Sequence, residues 1–360
     1  MLRNLSLFGA ALVAMGVLLE GVSRLIWDVP PTWHEPQTRH LRSPLLDWVL
    51  PPGSTSFTID QPVQVNSHGL RDDEFPRAKP AGEIRILCLG DSFTFALGVG
   101  FDDLYSQQLE RLLAARHPQR RFQVINTGIG GYNTRQELIY LLSQGLGFEP
   151  DLVTIGFYWN DLVDNEKPLP DLATTPRVEP GEKVHTRDQE HTLPTWFRDR
   201  LRQSVLLYQV VTRSKLLLDS LEPRRDDYSL VQKALLEGDQ VFLEPYWRAT
   251  GQRLLEIANA ARARGIPVVL LAFPMENHVK RDYPKLVWGE RLREIWAPTG
   301  MPFIDLEPAY RASLRAGENP FLPYDLHPNA LGMQIASQQL LEVLTSRDLL
   351  GLSPSGAAAD

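Results

Sequence analysis

The sequence predicts an α/β fold in which about five parallel strands form a sheet with helices on both faces. Short apolar segments alternate with longer amphipathic segments between residues 84 and 346. The apolar segments are almost continuously hydrophobic, which is typical of parallel strands buried on both faces. The chain has 360 residues, 43% of them hydrophobic, which is enough for a core of this size.

Five segments are predicted as the strands of this sheet. Each is a run of mostly apolar residues of strand length, and the first, IRILCLG, ends in a glycine. The predicted strands are 84–90, 121–126, 151–158, 266–273 and 301–306.

Helices are predicted between and after these strands, because the intervening segments carry apolar residues at helical spacing. Pro118 ends the first of them and Gly265 ends the third, as expected of residues that stop helices. The predicted helices are 102–118, 133–147, 245–265, 283–300 and 329–346.

The N-terminal segment indicates a membrane signal. Residues 5–19 carry no charge, Arg3 precedes them, and Glu20 follows. A helix continued to Trp27 would be about 34 Å long, enough to cross a bilayer. Because no small-residue cleavage site follows the apolar run, we predict an uncleaved signal anchor over residues 1–27. A cleaved signal peptide and a buried helix of a soluble protein are the alternatives.

Three other regions flank or interrupt the main domain, which is predicted at 83–350. Proline-rich residues 28–82 predict an extended arm or a small cap, and the tail at 351–360 is predicted to be disordered. An insertion at 165–244 separates the third strand from the fourth. Its second half predicts an amphipathic helix that packs on the domain, or acts as a lid or a membrane-surface helix. The apolar positions of that helix are Trp196, Phe197, Leu201, Val205, Tyr208 and Val211.

Charge and cysteine content exclude two classes of function. Lys and Arg number 37 against 44 Asp and Glu, so the net charge is −7. An acidic chain without a basic tract is not expected to bind nucleic acid. Cys88 is the only cysteine, so the chain has no internal disulfide and no CxxC zinc or redox motif.

Polar or glycine-rich segments follow the first three predicted strands, at the sheet edge where ligands bind in parallel sheets. Ser92, in the sequence Gly-Asp-Ser, opens a helix whose free N–H groups would stabilise an oxyanion. The turn around Gly131 lets backbone N–H groups approach a ligand, and the Asn160 amide can donate to an oxyanion. Each also has a purely structural alternative, namely a helix-capping serine, a tight turn and a turn-forming asparagine.

His327 is the predicted general base. It directly precedes a proline and the last predicted helix, which fixes its position, and Asp325 lies two residues before it. A histidine with a nearby carboxylate is the base and the orienting group that a serine nucleophile needs.

These sites, in this order along the chain, resemble the SGNH or GDSL-type serine hydrolase superfamily. Its four blocks are matched by Ser92, Gly131, Asn160 and His327, and the resemblance covers residues 84–346. It implies a flavodoxin-like, three-layer α/β/α fold with Ser92 as nucleophile and His327 as base. It also implies an oxyanion hole made of the Ser92 N–H, the Gly131 N–H and the Asn160 side chain.

The chain departs from the family pattern at two positions. Phe93 stands where the family has leucine, which is a minor variation. Asp325 lies two residues before His327, where the family has its aspartate three before. The spacing leaves two partners open for the imidazole Nδ1, Asp325 or a backbone carbonyl. It is also similar to the SGNH-like domains of polysaccharide O-acetylation proteins in bacterial envelopes.

The layout as a whole is similar to a group of membrane-anchored SGNH proteins of bacteria. The shared features are an anchor ending in Glu-x-x-x-Arg, an N-x-x-G-x-R-D segment that starts at Asn66, GDSF and GFYxND. The resemblance implies that Asn66, Arg71 and Asp91 lie near the site and contact the substrate. It also implies a single-pass protein of the inner membrane, with its catalytic domain on the periplasmic side.

The predicted function is a carboxyl-ester hydrolase that forms a serine acyl-enzyme on an acylated envelope glycan or lipid, without a metal or other cofactor. An O-acyltransferase with the same acyl-enzyme is the alternative, and it would require a membrane partner that supplies acyl groups. A glycan-binding protein with a degenerate site is a third alternative, because a fold does not determine a function.

Overall fold

The structure of the chain is a computed structural model. The residues that it describes are 2–27, 29, 33–177, 183–184, 203–221, 226–281, 283, 287–323 and 325–352. Part of the predicted amphipathic helix, including Trp196, Phe197 and Leu201, lies outside the described residues, as does the predicted tail from residue 353 onward.

The elements are numbered in chain order. The strands are β1 (His40–Ser43), β2 (Asp47–Val49), β3 (Thr55–Thr58), β4 (Gln61–Gln64), β5 (Glu83–Gly90), β6 (Arg121–Asn126), β7 (Leu152–Phe157), β8 (Lys183–Val184), β9 (Val268–Ala272) and β10 (Phe303–Asp305). The α-helices are α1 (Leu2–Ile26), α2 (Ser92–Phe95), α3 (Tyr105–Arg116), α4 (Thr134–Ser143), α5 (Val205–Leu221), α6 (Asp227–Glu237), α7 (Gln240–Arg262), α8 (Glu276–Lys280), α9 (Trp288–Trp296), α10 (Glu307–Arg315) and α11 (Ala330–Ser346). Single 3₁₀ turns cover Phe101–Asp103, Gly145–Phe148, Trp159–Leu162 and Ala297–Thr299.

A five-stranded parallel sheet in the order β10–β9–β7–β5–β6 forms the centre of the molecule. Every residue of β7 and β9 is buried, as expected of strands covered by helices on both faces. The α/β fold predicted from the sequence is therefore confirmed. In the register of β5, Gly90 pairs with Gly156 and Cys88 with Asn126, so β5, β6 and β7 end side by side at one edge.

The predicted strands agree with the structure to within two residues, whereas four of the five predicted helices differ from it by three residues or more at one end or both. α7 begins at Gln240, five residues earlier than predicted, because the Asp239 side chain accepts a hydrogen bond from Phe242 N and caps the helix there. Pro245 is therefore inside the helix rather than at its start. α9 is shorter than the helix predicted at 283–300. The sequence did not predict α6, α8 and α10.

Residues 33–82, predicted as an extended arm or a small cap, contain four short strands. β1 pairs with β2 and β8, and β3 pairs with β4 as a hairpin. Leu46, Leu50 and Val63 are buried and belong to the same hydrophobic core as the central sheet. We call residues 33–82 the cap.

The N-terminal helix α1 lies largely outside this core. Its segment Leu7–Ile26 spans 20 residues and is long and apolar enough to cross a membrane. Most of its described side chains are exposed, and Ser23 is a buried exception. A signal sequence has the same length and composition, so both readings of this helix remain.

Candidate active site

Ser92 is placed by a tight connection between β5 and the short helix α2. Asp91 caps that helix, because its Oδ1 accepts a hydrogen bond of 2.8 Å from Phe93 N. Two glycines leave room for Thr94, which follows in α2. A Cβ at Gly90 would lie 2.0 Å from Thr94 Oγ1, and a Cβ at Gly156 would lie 2.3 Å from it. Only glycines at these positions let α2 lie this close to the strand ends.

A hydrogen-bonded chain connects Ser92 to His327 and Asp325. The distance from Ser92 Oγ to His327 Nε2 is 2.8 Å, and the distance from His327 Nδ1 to Asp325 Oδ1 is 2.5 Å. The same carboxylate oxygen accepts the His327 backbone N–H at 2.8 Å. Of the two partners that the sequence left open for Nδ1, the structure has the Asp325 carboxylate there rather than a backbone carbonyl.

The loop around His327 is fixed on both sides. Leu322 N donates to the His327 carbonyl at 2.9 Å, and Phe321 bridges to Pro328. Asn329 then caps α11 by accepting hydrogen bonds from the N–H groups of Leu331 and Gly332. The imidazole is thereby held near Ser92, although 235 positions separate the two residues.

The Asp325 carboxyl group is ionised in this arrangement. Burial alone would raise its pKa, but the hydrogen bonds from His327 and the electrostatic interaction with that residue outweigh burial and hold the pKa below its usual range. A carboxylate at this place keeps the proton on Nδ1, so Nε2 is free to accept the proton of Ser92.

The opposite side of Ser92 carries the predicted oxyanion donors. The Ser92 N–H is in the first turn of α2, where backbone N–H groups have no partner within the helix. A hydrogen bond from Ile129 N to the Gly90 carbonyl holds the turn that contains Gly131 at the end of β5. Asn160, in the turn after β7, donates from Nδ2 to Asp91 Oδ2 at 2.9 Å. An amide group has two N–H donors, so the second is left for a ligand.

Three carboxyl groups lie buried on this oxyanion side. Asp91, Glu137 and Asp161 are almost inaccessible to solvent, and burial raises the pKa of each. Among the described residues, neither carboxyl oxygen of Glu137 has a hydrogen-bond partner. The charge of Asp91 raises the pKa of Glu137 further, and the charges of Glu137 and Asp91 raise the pKa of Asp161. Burial therefore disfavours ionisation of the carboxyl groups on this side of Ser92.

Asn66 and Arg71, predicted to contact substrate, are buried at 2% and 0% exposure. The Arg71 guanidinium donates to the carbonyls of Phe95, Ala96 and Val99 at 2.5 to 2.8 Å, so it fixes the loop that follows α2. Asn66 bonds to backbone groups of its own turn. In the structure both side chains are buried and bond to backbone groups of the protein, which supports the loops beside the site, and their contact with substrate stays a prediction. Asp91 lies directly beside Ser92 and is also buried.

Trp48 is a site residue that the sequence did not indicate. It comes from the cap, and its Nε1 donates to the Gly130 carbonyl at 3.0 Å. A Cβ at Gly131 would lie 3.2 Å from its ring, and Tyr132 donates to its carbonyl at 2.7 Å. The one signal was a tryptophan in an otherwise aliphatic stretch of the cap. Its partners, more than 80 positions away, could not be found from local pattern.

Several solved structures are similar to this chain over about three quarters of its length. A two-domain esterase (CEX) active on acetylated mannans has 17% identity and a TM-score of 0.41, over 74% of this chain and 50% of that chain. TesA has 14% identity and a TM-score of 0.43, over 73% of this chain and 98% of that chain. A catalytic mutant of Axe2, an acetylxylan esterase from Geobacillus stearothermophilus, has 17% identity and a TM-score of 0.43. The match covers 72% of this chain and 93% of that chain.

At these identities and TM-scores the likenesses carry no argument about substrate, and this chain spans only half the length of the mannan esterase. No curated protein sequence matches the chain. A model of a protein family does match it, over residues 88–335, a range that includes Ser92, Gly131, Asn160 and His327. Because that match covers well over half of the sequence, the chain belongs to the GDSL-like lipase/acylhydrolase family.

Proposed function

We propose that the chain is a carboxyl-ester hydrolase in which Ser92 forms an acyl-enzyme. The observation that carries this proposal is the 2.8 Å distance from Ser92 Oγ to His327 Nε2, with Asp325 on the other ring nitrogen. A serine hydroxyl is a weak nucleophile until a base within hydrogen-bond reach removes its proton. Family membership supports an acylated substrate.

In the proposed reaction, His327 Nε2 takes the proton of Ser92 Oγ as this oxygen attacks the acyl carbonyl. The Ser92 N–H, the Gly131 N–H and the Asn160 amide donate to the oxyanion that forms. The imidazolium, stabilised by Asp325, then protonates the departing alcohol. Water, deprotonated in turn by His327, attacks the acyl group and releases the acid, which restores Ser92.

We also propose that the substrate is an acyl ester of a bacterial envelope glycan or lipid. α1 is long and apolar enough to cross a membrane, and in this proposal it holds the enzyme on the periplasmic side of the inner membrane. Trp48 is half-buried beside the proposed oxyanion turn, and its exposed ring surface offers a sugar or an acyl chain an apolar contact next to the reacting carbonyl.

The first experiment uses the full chain with a fluorophosphonate probe and p-nitrophenyl acetate. We expect covalent labelling and ester hydrolysis, and we expect Ser92→Ala to abolish labelling and to lower kcat by about 10⁴- to 10⁶-fold. The matched control is Ser346→Ala, because Ser346 is an exposed serine near the end of α11. It should retain full labelling and turnover.

The same experiment distinguishes the alternatives. Labelling of Ser92 with negligible hydrolysis, and with acyl transfer to an added oligosaccharide, would replace the hydrolase by an O-acyltransferase that uses a membrane acyl donor. Absence of both labelling and turnover in the folded protein would contradict the proposal and favour a glycan-binding protein.

A further inference from the structure

The end of α1 and the start of α5 are joined by the side chain of Glu20. Its carboxylate accepts hydrogen bonds from Ser204 Oγ at 2.7 Å and from the N–H groups of Val205 and Leu206 at 3.1 Å. First-turn N–H groups have no partner within their own helix, and the helix dipole favours a negative charge there. Glu20, 184 to 186 positions away in sequence, therefore acts as the cap of α5.

Two further contacts fix the direction of α5 relative to α1. Arg24 pairs with Glu20 at 2.8 Å and also donates to the Gln203 carbonyl at 2.9 Å. About two turns beyond Val205 and Glu20, the Arg213 guanidinium lies 5.3 Å from the centre of the Trp27 ring. Advancing from Glu20 to Trp27 along α1 thus corresponds to advancing from Val205 to Arg213 along α5, so the two helices run in the same direction.

This arrangement sets the depth of α5 in a membrane. The segment Leu7–Ile26 is about 30 Å long as a helix, which matches the hydrocarbon core of a bilayer. Glu20 comes six residues before Ile26, so it lies about 9 Å inside that end of the segment. A carboxylate at this depth is unfavourable unless it is paired, and Arg24 and the first turn of α5 supply the pairing. The first turn of α5 therefore lies at the same depth.

The first turns of α5 also expose an apolar stripe. Leu207, Val210 and Val211, spaced for one face of a helix, are 40%, 52% and 65% exposed. At the depth set by Glu20 this stripe faces the boundary between headgroups and acyl chains rather than water. Arg213 and Trp27, one to two turns further out, are residue types suited to the headgroup layer.

We propose that α5 is a membrane-interface helix, which is held on α1 by Glu20 and inserts Leu207, Val210 and Val211 into the lipid layer. It follows that α1 is kept in the folded protein, because its removal would leave the N–H groups of Val205 and Leu206 without their acceptor. The inference rests on the proposed membrane-spanning role of α1 and is independent of the proposed ester chemistry.

The experiment uses the full chain in phosphatidylcholine–phosphatidylglycerol nanodiscs, with an environment-sensitive fluorophore on single introduced cysteines. Cys88 is fully buried, so the native thiol does not compete for the label. Val210→Cys reports on α5 and Leu12→Cys on the middle of α1. Val241→Cys, at an 88% exposed valine near the start of α7, is the matched aqueous control. Nitroxide-labelled lipids then quench any probe in contact with the bilayer.

We expect a blue-shifted emission that is quenched by lipid for the probes at positions 210 and 12, and water-like emission at position 241. In a Glu20→Ala background, the probe at 210 should shift toward water-like emission. The probe at 12 should stay in lipid, because loss of a charge favours insertion of α1. Intact mass of the membrane-extracted protein should include the residues of α1.

Water-like emission at 210 with lipid contact at 12 would overturn the inference and leave α1 as a simple anchor. Water-like emission at both positions, or a mass without α1, would overturn the anchor and the inference together. Lipid contact at 210 that persists after Glu20→Ala would show that Glu20 does not hold α5. Hydrolysis of p-nitrophenyl acetate, followed in the same samples, tests the proposed function separately.

Discussion

On one side of Ser92, the Asp325 carboxyl group is partly exposed and its pKa is held below the usual range. On the other side, Asp91, Glu137 and Asp161 are fully buried and their pKa values are raised. The proposed reaction creates a positive imidazolium on the first side and a negative oxyanion on the second. An ionised carboxylate stabilises the imidazolium, whereas a neutral carboxyl group avoids repelling the oxyanion. Hydrogen bonding thus lowers the pKa of the carboxyl group on one side of Ser92, whereas burial raises the pKa of the carboxyl groups on the other side.

The largest effect is expected on the ionised side. Asp325→Asn keeps the shape of the side chain but removes the charge, and it favours the wrong tautomer of His327. We expect kcat/KM for p-nitrophenyl acetate to fall by about 10³- to 10⁴-fold. Asp102→Asn, at a side chain that is 91% exposed, is the matched control and should leave the rate unchanged. Full activity in Asp325→Asn would mean that the carboxylate does not orient His327.

A smaller effect is expected from the oxyanion side. Asn160→Ala removes one donor to the oxyanion and also the amide that bonds to Asp91. We expect kcat to fall by about 10²- to 10³-fold with a smaller change in KM, since the donor acts mainly in the transition state. Asn259→Ala on the exposed face of α7 serves as control. An effect confined to KM would assign Asn160 to substrate binding instead.

The smallest effect concerns stability rather than rate. Because burial raises the pKa of Glu137, the unfolded chain ionises this group from about pH 4.5 upward while the folded chain keeps it protonated. The wild type therefore loses stability as pH rises above that value. Glu137→Gln removes this loss, so the gain in Tm over wild type should grow as the pH rises above about 4.5.

Thermal unfolding of Glu137→Gln at a series of pH values measures this gain. Glu318→Gln, at an exposed glutamate, controls for the general loss of a carboxylate. A gain in Tm that is the same at every pH would show that Glu137 is ionised in the folded protein, and the contrast between the two sides of Ser92 would lose its basis.

The sequence predicted those parts of the molecule whose signal is local. Five apolar segments marked the strands of the sheet to within two residues, because parallel strands buried on both faces need continuous hydrophobicity. Ser92 and His327 could be predicted as site residues because Ser92 directly follows a predicted strand and His327 comes shortly before a predicted helix. Their 2.8 Å contact could not be read from spacing, because it depends on how the whole sheet is ordered.

The features that the sequence missed depend on distant partners. Trp48 contacts a turn 82 positions away, and Arg71 bonds to carbonyls 24 to 28 positions away. Every residue has a backbone carbonyl, so a hydrogen bond to that group does not require a particular residue type at the acceptor. No sequence pattern therefore predicts such bonds. The predicted start of α7 at residue 245 is five residues too late, because the Asp239 side chain caps the helix and its first residue is Gln240.

The 235 positions between Ser92 and His327 have a consequence for how activity arises during synthesis. A ribosome that has completed β7 and the Asn160 turn has made the proposed nucleophile and the proposed oxyanion donors, but no base. His327 lies 167 positions beyond Asn160, and α11, which fixes its loop, follows it. A chain that stops before His327 would therefore lack the base of the proposed reaction, and the proposed activity requires that α11 has been made.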